Sequence, residues 1–275
     1  ASGNNTGLFT GYYEPTLNGS LTSNAEYRTP LFARPQDLVT VKLGEFSAEW
    51  SGESISGRII EGKLQPYASR AEIMAGALAE KGLELAWVND PIDAFFMHVQ
   101  GSGQIALPDG QIIRLGYASQ NGHPYTSIGR ELVREGALTR DAVSMQSIRA
   151  WLRSNPDRGQ EMINRNASFV FFRINDRDGP IGAQNVVLTP ERSLAVDRHF
   201  VPLGVPVWLE TEVPTVKGED KIWQRLMVAQ DTGGAIRGPV RGDVFWGAGK
   251  EAAEVAGRMK HTGRYYILLP RVLSH

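Results

Sequence analysis

Short apolar runs, each broken within a few residues by Gly, Pro, Asn or Asp, follow one another along most of the chain and predict strands more often than helices. Leu8-Phe9-Thr10-Gly11-Tyr12-Tyr13 is a β-favouring aromatic run that stops at Glu14-Pro15, so it reads as a strand. Short strands are expected over 38–43 and 55–60, and two more over 94–100 and 111–115, joined through Gly101-Ser102-Gly103 and Pro108-Asp109-Gly110. Helical spacing is rarer. Ser69-Arg70-Ala71-Glu72 before Ile73 has the spacing of a capping box and predicts a helix over 70–81, stopped by Gly82. Ser127 and Ser144 head helices over 127–135 and 145–153, with Ile148, Trp151 and Leu152 on one face and Pro156 closing the second. From residue 168 the runs 168–173, 205–210 and 225–229 are β-like, followed by a helix near 251–259 and a last strand over 264–269, a pattern that suits a barrel. A mixed α+β lobe followed by a barrel-like half makes the chain mainly β.

Composition agrees and removes several functions. With 275 residues, 41% hydrophobic and 21% charged, the chain can bury one or two cores, and 30 Gly with 15 Pro favour strands and turns over a long-helix bundle. A net charge of −1 lacks the basic excess that phosphate backbones attract, so no nucleic-acid partner is expected. Without cysteine there is no disulfide and no thiolate chemistry. The five histidines never fall at zinc-ligand spacing, the sparse Gly101-Ser102-Gly103 and Gly182 do not make a phosphate loop, and no serine sits in a nucleophile elbow. No metal and no cofactor are therefore expected. No apolar run approaches the roughly 18–20 residues of a membrane span, and any targeting segment is expected to have been removed before Ala1. There is no fixed-period repeat and no low-complexity tract.

The densest chemical signal is Ala229-Gln230-Asp231-Thr232-Gly233-Gly234-Ala235-Ile236-Arg237-Gly238, followed by Asp243 within Arg241-Gly242-Asp243-Val244-Phe245-Trp246-Gly247. Both acids read as members of Gly-rich turns, where the backbone can take positive φ and a large ligand can come close, as at the rim of an active site. A single Asp-Gly turn would be ordinary, because the Asp side chain bonds nearby N–H groups. Two of them, with Asp197 upstream in Ala195-Val196-Asp197-Arg198-His199, make a site the better explanation. Gln100, Ser102 and Gly103, with Tyr117, Asn121, His123 and Tyr125, form a polar and aromatic set suited to sugar hydroxyls and faces. Most of Phe169 to Phe172 and of the tryptophans at 208, 223 and 246 are expected in the core, with Trp246 the first candidate for a sugar platform.

Ala195-Val196-Asp197-Arg198, Ala229-Gln230-Asp231-Thr232-Gly233-Gly234-Ala235-Ile236 and Gly242-Asp243 resemble the three-aspartate domain of the membrane-bound lytic transglycosylase A family. Phe9-Thr10-Gly11-Tyr12-Tyr13-Glu14-Pro15, Ser69-Arg70-Ala71-Glu72-Ile73, Val99-Gln100-Gly101-Ser102-Gly103, Tyr117-Ala118, Asn121-Gly122-His123, Ser127-Ile128-Gly129 and Ser168-Phe169-Val170-Phe171-Phe172 are similar to its other signatures, in its order, so the resemblance covers nearly the whole chain. It implies a double-psi β-barrel domain from 1–15 and 167–275, a mostly β substrate-binding domain inserted over 16–166, and a groove between them for peptidoglycan glycan strands. Asp243 then maps to the catalytic acid, with Asp231 and Asp197 as the other family aspartates. Gly233, Gly234 and Ala235 would lie against substrate. The resemblance also implies a periplasmic location, a lipid anchor to the outer membrane outside this chain, and a monomer.

The chemistry itself leaves two enzymatic routes open. Hydrolysis of a glycosidic bond usually takes two carboxyl groups, and Asp231 with Asp243 could form an inverting pair. A transglycosylase manages with one, because the sugar's own 6-hydroxyl replaces water. On that route Asp231 is expected to raise the pKa of Asp243 by like-charge coupling. A non-catalytic glycan-binding module is the reading from another class.

Overall fold

The computed structural model describes residues 5–217 and 219–270. In chain order β1 (Gly7–Glu14) is followed by β2 (Thr16–Ser20), β3 (Thr29–Phe32), β4 (Val39–Lys42), β5 (Ser54–Ile60) and β6 (Lys63–Pro66). Next come a single turn, α1 (Arg70–Glu72), then β7 (Glu84–Val88), α2 (Pro91–Gln100), β8 (Gly103–Ala106) and β9 (Ile112–Gln120). Three helices, α3 (Ile128–Arg134), α4 (Met145–Ser154) and α5 (Pro156–Asn164), precede β10 (Val170–Ile174). The C-terminal part holds β11 (Ser193–Val196), β12 (Pro206–Pro214), β13 (Asp220–Asp231), β14 (Arg241–Ala248), α6 (Gly249–Arg258) and β15 (Lys260–Ile267). Two compact units result: Ala1–Pro15 with Arg177–His275, and Thr16–Asp176.

The first unit is a closed barrel in the order β1-β14-β11-β13-β12-β15. The pairs β1/β14 and β11/β13 run parallel and the others antiparallel, as in the double-psi type that was expected. Its interior is filled by alternate residues of these strands, among them Phe9, Leu194, Val196, Val207, Leu209, Met227 and Val244, all fully buried. Each such side chain contributes about 1.5–3 kcal/mol by leaving water. The packing is close enough to demand glycine at one point. A Cβ on Gly242 would come 2.9 Å from the Phe9 ring and 3.0 Å from Leu194.

The second unit carries a six-stranded sheet, β10-β9-β8-β2-β7-β3, and a three-stranded one, β4-β5-β6. Phe95 and Phe96 of α2 bury against Ile128, Leu132, Leu152, Met162 and Ile163 of α3, α4 and α5. The stretch 167–176 lies in this unit and not with the barrel. Val170 pairs with Gln120 and Ile174 with Leu115, so β10 extends the inserted sheet, and Phe169, Phe171 and Phe172 bury in its clusters.

Two further expectations need correction. The run 94–100 is a helix: Asp90 accepts from the N–H groups of Ile92 and Asp93, Pro91 occupies the first turn, and Gly101 ends it at φ +83°. An apolar run of this kind suits either a strand or a buried helix, and the caps decide. The capping box at Ser69 and Glu72 forms as expected, but the helix is only Arg70–Glu72, continued by one wide turn over Ile73–Ala77 and broken at Gly76, φ +106°. Pro156 closes α4 as expected, with Asn155 before it out of helical geometry, and it also opens α5, where its missing N–H costs no hydrogen bond.

Candidate active site

Asp231 and Asp243 sit on strands, not in turns: Asp231 ends β13 and Asp243 is the third residue of β14. The loop between them carries the glycines. In the barrel Thr10 is in register with Asp243, Asp243 with Ala195, and Ala195 with Asp231. This row across β1, β14, β11 and β13 puts Thr10 and both carboxyls on the outer face, with alanine between the acids. The acids are two strands apart, about 10 Å at the backbone.

The Thr10 hydroxyl donates to Asp243 Oδ1 at 2.7 Å and accepts from Arg241 Nη2 at 2.8 Å. Arg241 is itself held by the carbonyl of Leu8 at 3.2 Å and by that of Gly242. Asp243 is half-buried, which leaves it open to a ligand. Burial pushes its carboxyl up to about 6, against the pull of Arg241 and the Thr10 hydrogen bond, with Asp231 adding a smaller upward push. The expectation that Asp231 tunes Asp243 therefore keeps its direction, but burial is the main cause. A carboxyl near 6 can exist in either form close to neutral pH, as an acid that becomes a base requires.

Asp231 is bound differently. Its Oδ1 accepts from the N–H groups of Ala183 at 3.0 Å and Thr232 at 2.9 Å, and its Oδ2 from the Tyr12 hydroxyl at 2.8 Å. Burial raises its pKa, and these three donors oppose that rise. Both oxygens already serve as acceptors, so Asp231 is a bracket joining β1, β13 and residue 183 rather than a carboxyl free to shuttle protons. Tyr12 is driven well above its usual range by burial and by Asp231, so it stays a neutral donor.

Asp197 is 6% exposed and lies just beyond the end of β11. Its Oδ1 accepts from His199 Nδ1 at 2.8 Å and from the His199 N–H, and its Oδ2 from the Gly238 N–H at 2.9 Å. Burial would raise its pKa, but these donors outweigh it and hold the carboxylate below its ordinary value. It anchors the loop after Asp231. In that loop Ile236 is buried, whereas Gly234 and Ala235 are exposed, and nothing lies within 4 Å of where a Gly234 Cβ would stand. With half-buried Gly233, these residues leave the approach beside Asp231 open.

Trp246 is not on the Asp243 face. Three residues further along a strand, it points inward, where its ring lies 5.7 Å from that of Trp223 and its Nε1 donates to Met259 Sδ at 3.3 Å. It is a core residue.

In the inserted unit the polar set divides. Asn121 is fully buried: its Nδ2 donates to the carbonyls of Ala68 at 2.9 Å and Ala167 at 2.8 Å, and its Oδ1 accepts from the Phe169 N–H at 2.8 Å. His123 Nε2 lies 2.7 Å from the Tyr67 carbonyl, and buried Arg70 donates to the carbonyls of Asn166 at 3.1 Å and Ser168 at 2.7 Å. Three of the family-like motifs thus tie one junction together. Asn121 and His123 hold backbone there; for fully buried Asn121 a structural role replaces the substrate role expected of it, whereas His123 stays half-buried. Gly103 is buried where a Cβ would come 2.9 Å from Met97, so it serves packing. Gln100 and Ser102 stay half-buried, and Tyr117 and Tyr125 are exposed.

Thr10, Tyr12 and Arg241 were not singled out from the sequence. Alternation along β1, with Thr10 and Tyr12 two apart and Phe9 facing the core, was the available signal. Which strand β1 would pair with was not. Among the described residues no group of three or more His, Cys, Asp or Glu could hold a metal, and no helix is long and apolar enough to cross a membrane.

Comparison with known proteins gives two family matches: the MltA specific insert domain over residues 8–173 and the 3D domain over 192–269. The membrane-bound lytic murein transglycosylase A of Escherichia coli (strain K12) is 36% identical over 266 residues, covering 94% of this chain and 65% of its own length. The chain thus spans about two thirds of the curated relatives it matches. Among solved structures, the membrane-bound lytic murein transglycosylase from Agrobacterium tumefaciens superposes with a TM-score of 0.87 at 39% identity, covering 97% of this chain and 74% of that one. Escherichia coli MltA with bound chitohexaose superposes at 0.78 with 32% identity, over 97% and 73% of the two chains.

Proposed function

We propose, given that the chain belongs to the membrane-bound lytic murein transglycosylase A family, that it cleaves peptidoglycan glycan strands without water, using Asp243 as its single acid and base. The observation that carries this reading is the inequality of the two carboxyls. Asp243 is half-buried and lifted to about 6, while both oxygens of Asp231 are occupied by donors.

The neutral Asp243 gives its proton to the oxygen bridging N-acetylmuramic acid and N-acetylglucosamine, and the bond from C1 to that oxygen breaks. The resulting carboxylate takes the proton of the muramoyl 6-hydroxyl as O6 bonds to C1, closing a 1,6-anhydro ring. Proton and charge balance, and Asp243 returns neutral. An inverting hydrolase would need Asp231 to activate a water, a task its three donors oppose.

On this reading, Gly233, Gly234 and Ala235 let the glycan backbone come close beside Asp231. Gln100, Ser102, Tyr117, His123 and Tyr125 remain positions of the inserted unit able to meet hydroxyls and sugar faces. Location in the periplasm, an outer-membrane lipid anchor carried outside this chain and a monomeric state belong to the same proposal. They rest on kinship to relatives named membrane-bound.

Product analysis tests the mechanism. Muropeptides ending in 1,6-anhydro sugar are expected, and the rate should fall as pH rises past about 6, where Asp243 loses its proton. Asp243→Asn should lower kcat by about a hundredfold or more. Reducing ends that carry solvent oxygen-18 would instead establish hydrolysis.

A further inference from the structure

The chain of donors behind Asp243 has a direction. Arg241 is a donor only, so the 2.8 Å contact from its Nη2 makes the Thr10 oxygen an acceptor there. Thr10 has a single proton of its own. If Asp243 carried its proton on Oδ1 and donated it to Thr10, the threonine would accept twice and its own proton would be left without a partner on this half-buried face. Within the protein, without calling on solvent, every group is satisfied only when Thr10 donates to Oδ1, at 2.7 Å.

We propose that Arg241 and Thr10 form a positioning relay that keeps Asp243 Oδ1 an acceptor throughout the reaction and confines the exchanging proton to Oδ2. The inference deepens the acid/base reading of Asp243 and rests on it. Oδ2 donates to the bridging oxygen, is left bare, and then receives the proton of the 6-hydroxyl. Oδ1 keeps the same hydrogen bond in both steps, so the carboxyl need not rotate between acting as acid and acting as base. Neither Thr10 nor Arg241 exchanges a proton with substrate.

The relay also sets the balance between the two forms. Arg241 draws electron density from the Thr10 oxygen, which makes its O–H a stronger donor and favours the carboxylate, against the burial that favours the acid. Arg241 on β14 and Asp231 on β13 are the charged groups acting on Asp243. Tyr12 on β1 is the neighbouring neutral donor, β11 contributes uncharged Ala195, and the ionisable residues of β15 and α6 are Lys260, His261, Arg264, Tyr265 and Tyr266 on β15 with Lys250, Glu251, Glu254 and Arg258 on α6. Removing the Thr10 hydroxyl alone should therefore raise the Asp243 pKa.

The test compares Thr10→Val with Thr10→Ser. In Thr10→Val, kcat should fall about tenfold with KM within about twofold, and the basic limb of the pH profile should move up by about half a unit or more. Thr10→Ser, which keeps the hydroxyl, should restore both. Carboxyl carbon-13 titration of Asp243, assigned against Asp243→Asn, reads the same shift without turnover. It therefore separates failure of the relay from failure of the transglycosylase reading. An Asp243 pKa unchanged in folded Thr10→Val, or a Thr10→Ser protein as impaired as Thr10→Val, would overturn the relay.

Discussion

At the scale of the residue, the candidate site depends on giving similar side chains different neighbours. The three family aspartates of the C-terminal part are bound differently: Asp197 accepts backbone and histidine N–H groups, Asp231 accepts three donors, and Asp243 meets one threonine hydroxyl. The cost of keeping Asp243 poised should be measurable as stability. Its folded pKa of about 6 lies above the unfolded value near 3.8, so the folded state binds the proton more tightly. Stability from this group is complete below about pH 4 and declines as pH rises through about 6. Asp243→Asn carries no such dependence. It should exceed the parent in unfolding free energy by about 1–3 kcal/mol at pH 7, with the gap closing by pH 4. Denaturant titration at both pH values checks this, and a gap independent of pH would mean that Asp243 is not strained by burial.

At the scale of the element, strand alternation separates chemistry from core. β1 sends Phe9 into the barrel and Thr10 to the outer face, while β14 sends Val244 and Trp246 inward and Asp243 outward. Close approach of α6 to β1 depends on Gly11, where a Cβ would come 2.7 Å from Trp246 Nε1 and 2.9 Å from the Ala256 backbone. Gly11→Ala should therefore displace α6 or the tryptophan and destabilise the protein by about 1–3 kcal/mol, seen as a lower unfolding midpoint with altered tryptophan fluorescence. Much at this scale was legible in advance. The capping serines at 69, 127 and 144 mark the starts of the helices they head, and Gly11, Thr10 and Tyr12 lie in the first strand anticipated. The element at 94–100 was misread because its apolar run satisfies both periods over so short a length.

At the scale of the whole molecule, the barrel is assembled from distant parts of the chain. β1 pairs with β14 and β15, and Thr10 meets Asp243 across 233 positions. Without β1 the barrel would present two open strand edges and lose Phe9 from its core. A fragment of residues 177–270 should thus lack a cooperative unfolding transition, and adding a peptide of residues 5–15 should restore one. A fragment that melts cooperatively alone would refute this dependence. The sequence by itself determined the strand-rich character, the capped helices, the absence of thiol chemistry and, through motif order, the family and its three aspartates, because local propensity and motif identity are properties of neighbours in the chain. It could not show that Asn121 is a buried junction, that Trp246 faces inward, that residues 167–176 join the inserted sheet, or that Thr10 and Arg241 stand behind Asp243. Those facts depend on strand pairing between residues far apart in sequence, and only the closed barrel and the inserted sheet fix which side chains share a face and which of them lose water.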